Sequence, residues 1–449
     1  MPVYEFPSSY GQRRMWMLAQ MDPGEPVYNI TRALWLDGPL DTGVLDRAWQ
    51  TALVRHEALR TVFRNDSWQP VQVIEDDLAP RPLPVTSLER LPDEQREPAA
   101  RALIRDLART PFDLATGPLV TAALIRLSPR AHVLAVAVHH IVADGWSFRI
   151  LFGELSADYA AISHGDSPAA ADPPIQYADF AIWQLEHARG GGYTAAERFW
   201  CQALASPPPP LPLPNDQPYR AHQTHTADSI DTGIDPTLAV GLRQLAERLG
   251  TTQFAVLLAA YAATLHHLTG TDDLLIAVPV PARTRAESGS VVGLFMNHVT
   301  IRVQVDRDAT LTDLVRCVHT TVVRAFAQQE LPLARVVELV RPGRDPARAP
   351  LVQVLFAMEE CWTIPDRGGL HWHPEPVANG TATFEIELTV TDTPADPRIR
   401  LNYNSDLFQP ATAQLIADGY TTILRQFAED PGQSIAGTGI MSPTWSARS

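Results

Sequence analysis

Residues 131–150 read AHVLAVAVHHIVADGWSFRI, and the rest of the chain is placed from this stretch. A β-forming run, 133–138, ends in two adjacent histidines, His139 and His140; three residues later come Asp144 and Gly145, and 147–162 has helical spacing. Side chains alternate along a strand, so the two histidines should point to opposite faces and hold different jobs. A histidine ending an apolar strand is in most proteins a hydrogen-bonded structural residue. Here it stands beside an acid, a glycine that permits close backbone approach, and a helix start. The free N–H groups and partial positive charge of a helix start suit an oxyanion next to a histidine base. This grouping points to acyl transfer without a nucleophilic serine or cysteine.

At 449 residues the chain exceeds one ordinary core and predicts two or three units. Its 45% apolar and 19% charged residues are a normal globular balance. The net charge of −15 argues against nucleic acid as a partner. No apolar run reaches membrane length and the N-terminus lacks a signal pattern, so no membrane association and a cytoplasmic location are expected. All 36 basic residues are arginine, which excludes a Schiff-base lysine. Cys201, Cys317 and Cys361 show no metal spacing, so no metal site is expected and the thiols read as free and buried.

Outward from the central stretch, 4–18 contains a serine-capped helix, 29–36 a strand, 42–56 a helix, 55–63 a helix end running into a strand, and 71–74 another strand. Residues 92–107 read as a helix and 119–127 as the hairpin partner of 132–138. HGDSPAAADPP then breaks the pattern, which places a domain boundary near 170. Helices follow at 177–188 and 195–204, and PPPPLPLPND, 207–216, is an extended polyproline strap. The second half predicts helices at 236–249, 253–268, 311–328 and from Pro332. Its strands are expected at 274–280, 294–305, 352–358, 385–391 and 399–403, before a last helix at 411–427. The expected domains are therefore 1–170, carrying the histidine motif, and 171–449, including the strap, in a mixed α/β (α+β) fold with a site between them. His266 and His267 close a helix without a following Asp-Gly, and Glu359 and Glu360 diverge on a strand; neither pair reads as a site.

With HHIVADGWS placed, other clusters fall into order: SYGQRRMWML (9–18), RHEALRTVF (55–63), YADFAIW (177–183), VVGLFMNHVTIR (291–302), QQELPLARVVE (328–338) and RDPARAPL (344–351). In this order they resemble the motifs of the condensation domains of nonribosomal peptide synthetases along essentially the whole chain. Gly11 and Met15 depart from the usual first motif, His298 follows Asn297 where threonine is usual, and a phenylalanine is missing after Pro332. The resemblance implies two chloramphenicol-acetyltransferase-like lobes forming a V-shaped pseudo-dimer, with the active site in a tunnel between them. It implies no permanently bound cofactor. A peptidyl or acyl carrier protein presents the donor on its phosphopantetheine arm, and the acceptor is a second carrier-bound amine or a small-molecule amine or alcohol. The expected product is an amide or ester, and the expected state a monomer, free-standing or excised from a synthetase.

By that resemblance His140 positions the nucleophile and takes its proton, while His139 packs. Asp144 forms a buried ion pair with Arg283, or with Arg285 as the alternative, and Gly145 gives the pantetheine arm access. Arg60 supports the site; Trp183, Asn297 and Ser147 line the tunnel or tie the structure together. The competing readings are a coenzyme A-dependent acyltransferase of the same superfamily and a noncatalytic docking module.

Overall fold

The computed structural model describes residues 3–66, 69–75, 82–343, 345–391, 393 and 397–440. Arg344, in the last of the motifs above, lies outside them. The chain divides into two compact units. One is Met1–Tyr193 with Pro281–Met296 and Trp362–Asn379; the other is Thr194–Val280, Asn297–Cys361 and Gly380–Ser449.

The first unit is built on a five-stranded sheet in the order His371–Val377, Asn29–Asp37, Ala131–His139, Val120–Ser128, Val85–Ser87. The strand Ala131–His139 is central and covered on both faces, which explains its unbroken apolar run. Leu134, Val136 and Val138 join a core with Leu45 and Trp49 of the helix Thr42–Arg55 and Phe148 and Phe152 of the helix Gly145–Ser163. Val133 and Ala135 meet Ala100 and Ile104 of the helix Asp93–Arg109 on the opposite face. A three-stranded sheet, Val3–Pro7, Gln69–Glu75, Thr61–Asp66, completes the unit.

The second unit has a six-stranded mixed sheet in the order Asn297–Gln304, Asp273–Val280, Val354–Glu359, Ile386–Thr391, Arg398–Asn404, Ala227–Gly233. Val354–Glu359 runs parallel to both neighbours and the other pairs are antiparallel. The helix Gln253–Thr269 is buried along most of its length, as its mostly apolar sequence requires.

Where one boundary near 170 is expected, the units first part at 193/194, and 281–296 and 362–379 return to the first unit. The helix Tyr177–Arg189 belongs to the first unit because Tyr177 shares a hydrogen bond with Ser9 Oγ (2.9 Å) and Gln184 accepts from Tyr10 N (3.0 Å). The Pro/Ala-rich stretch is a loop within that unit. The three cysteines are exposed rather than buried. Cys201 and Cys317 sit on amphipathic helices whose apolar faces hold other residues, Trp200 in one and Val315 and Val318 in the other. No helix among the described residues is long and apolar enough to cross a membrane.

Candidate active site

The strand ends between the two histidines, and this separates them. His139 is the last strand residue, opposite Asn29, and is 6% exposed. Its ring packs edge-on against Tyr28 and Phe112, and its Nδ1 accepts the N–H of Ile141 (3.2 Å). Nδ1 therefore carries a lone pair, and the ring is neutral. Burial, with His140 beside it, pushes the His139 pKa down to about 3.

A buried histidine of this kind makes stability depend on pH. Its folded-state pKa lies below its unfolded value of about 6.5, so the stabilisation is complete above that pH and is lost as pH falls toward the folded value, by about 1.4 kcal/mol per unit. Urea unfolding of the wild type is expected to show a loss of about 2 kcal/mol from this group between pH 7 and pH 5. His139→Gln should lack that part of the pH dependence; an unchanged slope in the variant would contradict the assignment.

His140 begins the turn. Its N–H donates to Tyr28 O (2.7 Å), and its Nδ1 lies 2.8 Å from Ala143 O. A carbonyl can only accept, so Nδ1 holds the proton. Burial, its largest influence, lowers the His140 pKa, and the nearby Asp144 charge opposes this. The ring at neutral pH is therefore an imidazole whose Nε2 presents a bare lone pair.

Asp144 is wholly committed elsewhere. It caps the helix Gly145–Ser163, accepting from Ser147 N (2.9 Å) and Ser147 Oγ (2.8 Å). Phe295 N (3.1 Å) and Met296 N (3.2 Å) donate to its other oxygen. Arg283 Nη2 bridges both oxygens at 3.0 and 3.2 Å. The two side chains are 2% and 4% exposed, which makes this a buried ion pair. Arg283 also donates to the carbonyls of Ser288 and Val291 and lies over the Phe295 ring. Arg285, the alternative partner, covers Trp183 instead.

Gly145 is exposed at the first position of the helix, and a Cβ there would meet nothing within 4 Å. Ser147, expected to line the tunnel, is 2% exposed and is corrected to a buried member of the cap. Its hydroxyl is held by Asp144, the Gly293 backbone and Arg283, because the third residue of a helix is where a capping box closes. Gly293 is required here: a Cβ would fall 2.0 Å from the Tyr177 ring.

The remaining residues lie apart. Arg60 donates to Glu75 O (2.7 Å) and neighbours Glu57, bracing a turn against a strand. Trp183 stacks on His187 within the first unit. Asn297, in the second unit, donates to the carbonyls of Gln329 and Leu331 and accepts from Leu333 N, capping the helix Leu333–Val340. Two contributors carried no side-chain signal in the sequence: the carbonyls of Tyr28 and Ala143.

The family model described as "Condensation domain" matches residues 4–447. Phosphinothricin tripeptide synthetase PhsB of Streptomyces viridochromogenes is 39% identical over 93% of this chain. The chain spans 35% of that synthetase, and between 6% and 40% of eight curated relatives it matches. Among solved structures, the X-domain in complex with OxyB from teicoplanin biosynthesis is 27% identical with a TM-score of 0.85, covering 98% of this chain and 97% of that one. The first condensation domain of the calcium-dependent antibiotic synthetase with a substrate analogue is 22% identical with a TM-score of 0.83, covering 98% and 100%.

Proposed function

The chain belongs to the condensation-domain family, and from that premise we propose that it joins an acceptor amine or hydroxyl to an acyl group carried as a thioester on a carrier protein. The observation that carries this reading is the neutral His140, with Nδ1 bound to Ala143 O and Nε2 left bare. The acceptor hydrogen-bonds to Nε2 and attacks the thioester carbonyl, a C–N or C–O bond forms, and its proton passes to the imidazole. Collapse breaks the C–S bond, and the departing thiolate takes that proton. No cofactor is held permanently; the pantetheine arm arrives with the substrate.

Asp144 and Arg283 hold the loop, and Gly145 supplies clearance and a free helix N–H. Gly145→Ala is expected to melt with the wild type, since its Cβ meets open space. Gly145→Leu should cut turnover of carrier-bound donors by about tenfold or more by filling the approach. Equal turnover by Gly145→Leu and wild type would remove Gly145 from the access role.

The pH profile tests the base directly. Because the imidazole must be neutral and its pKa is lowered, kcat/KM for an alcohol acceptor, which has no ionisation of its own in this range, should hold through neutral pH and fall only below the ordinary value of about 6.5. A limb above that value would contradict the assignment. Carrier-bound donors should turn over far better than the same acyl groups on coenzyme A; equal rates would favour the coenzyme A-dependent reading. The likeness to an X-domain found with OxyB supports a docking module as the second reading, and full turnover by a variant without His140 would favour it.

A further inference from the structure

Tyr177, at the start of the helix Tyr177–Arg189, is buried, and the site as described leaves its hydroxyl without a role. A carbonyl can only accept, so the phenol donates to Leu294 O (2.6 Å) and its own oxygen accepts the hydroxyl of Ser9 (2.9 Å). Ser9 Oγ accepts Gln12 N (3.1 Å), and Gln12 Nε2 reaches Ile141 O (3.4 Å), next to His140. The Tyr177 ring is wedged between Phe180, Phe295 and the bare backbone of Gly293. All these residues belong to the first unit.

Leu294 O and Phe295 N are the two ends of one planar peptide unit. Tyr177 holds the oxygen end, and Asp144 accepts the N–H end (3.1 Å). A second peptide unit continues the path. Asp144 N donates to Ser147 Oγ (3.2 Å), which donates to Asp144 Oδ1 (2.8 Å), and the oxygen of that same unit, Ala143 O, lies 2.8 Å from His140 Nδ1. From phenol to imidazole every step is therefore a short hydrogen bond, a carboxylate or a rigid plane. A plane gripped at both ends does not turn; released at its oxygen end, with a buried carbonyl left unpaired, it does. Turning it draws the Phe295 N–H off Asp144, and Ala143 O then no longer fixes which imidazole nitrogen is bare. Resting on the condensation reading above, we propose that Tyr177 is a positioning residue for acyl transfer: by holding the 294–295 peptide on Asp144 it keeps His140 in the Nδ1–H tautomer, with Nε2 free for the acceptor.

The test uses the full chain. Tyr177→Phe keeps the packed ring and removes the hydroxyl. With a carrier-bound donor and acceptor pair that the wild type turns over, it should lower kcat by about tenfold and leave both KM values within about threefold. Heteronuclear NMR spectra of protein labelled at its histidine ring nitrogens, with His140→Ala assigning the signals, should show the Nδ1–H tautomer in the wild type and a mixture in the variant. Replacing Tyr177 with p-aminophenylalanine, which returns a donor to Leu294 O, should recover about threefold or more of the lost turnover. Asp41→Ala removes the cap of the helix Thr42–Arg55 and should cost a similar, roughly 2–4 °C, fall in melting temperature, yet leave kcat and the His140 tautomer unchanged. Ser9→Ala, which frees the phenol from its second partner, serves if Tyr177→Phe folds poorly, and should produce the same mixture of tautomers. A wild-type tautomer or a wild-type kcat in Tyr177→Phe would overturn the proposal, as would equal changes in Asp41→Ala. The tautomer is read without substrate, so a wild type inactive with every pair would be the failure of the condensation reading, and the spectra would still decide for or against Tyr177.

Discussion

Replacing His140 with alanine is expected to lower turnover of a carrier-bound donor by about 10²- to 10⁴-fold, the range for losing a positioned general base, while the protein stays folded. Two features separate the effect on chemistry from one on structure. Among the described residues the only hydrogen bond of the ring is to Ala143 O, and the turn is otherwise held by the backbone bond to Tyr28 O and by Asp144. His139→Ala should do the opposite, because that ring is buried, packed and bonded to Ile141 N: stability falls, and activity falls only as far as folding does. Turnover by His140→Ala within a few-fold of the wild type would remove the base from the mechanism.

Arg283→Ala is expected to cost about 3–5 kcal/mol, because it strands the Asp144 carboxylate in a place water does not reach. For a unit of this size that corresponds to a fall in Tm of roughly 6–20 °C. Asp144→Ala should cost about as much for the converse reason and should also uncap the helix Gly145–Ser163, freeing Ser147 N, Phe295 N and Met296 N. The double variant should be less destabilised than the sum of the two, since neither charge is then left alone. Calorimetry on the four proteins measures this, and additive losses would show that the two side chains are not a coupled pair. Salt should change the result little, as a buried pair is poorly screened.

Much of the fold could be read from periodicity. The helix Thr42–Arg55, the hairpin Val120–Ser128 with Ala131–His139, and the helix Pro236–Leu249 lie within one or two residues of their expected places. Four strands escaped, for physical reasons. His371–Val377 contains Pro374 and Pro376, which argue against a ladder, yet it is the edge strand of its sheet, where missing N–H donors are tolerated. Ala227–Gly233 is an edge strand of polar, turn-like composition. Val3–Pro7 and Val85–Ser87 are too short to show a period. The strand expected from residue 294 starts at Asn297, because Phe295 and Met296 instead turn their N–H groups to Asp144.

The site was legible where a residue's type fixed its job. A histidine pair at a strand end and an acid before a helix start could be read from residue type; the pairing of Asp144 with Arg283 was what the family resemblance implied, and the structure places Arg283 on Asp144. What the sequence could not carry was backbone geometry and the state of charge. The carbonyl of Ala143 sets the His140 tautomer and belongs to a residue with no functional side chain. Ser147, named with the tunnel residues, is instead the third residue of its helix, where its hydroxyl closes the cap on Asp144.

The most direct measurement is mass spectrometry of the wild type incubated with an acyl-loaded carrier protein and a panel of amine and alcohol acceptors. The account predicts a new amide or ester that contains the donor's acyl group, depends on the carrier thioester and disappears in His140→Ala. Folded protein that forms no product with any loaded carrier, or forms the same product without His140, would contradict it.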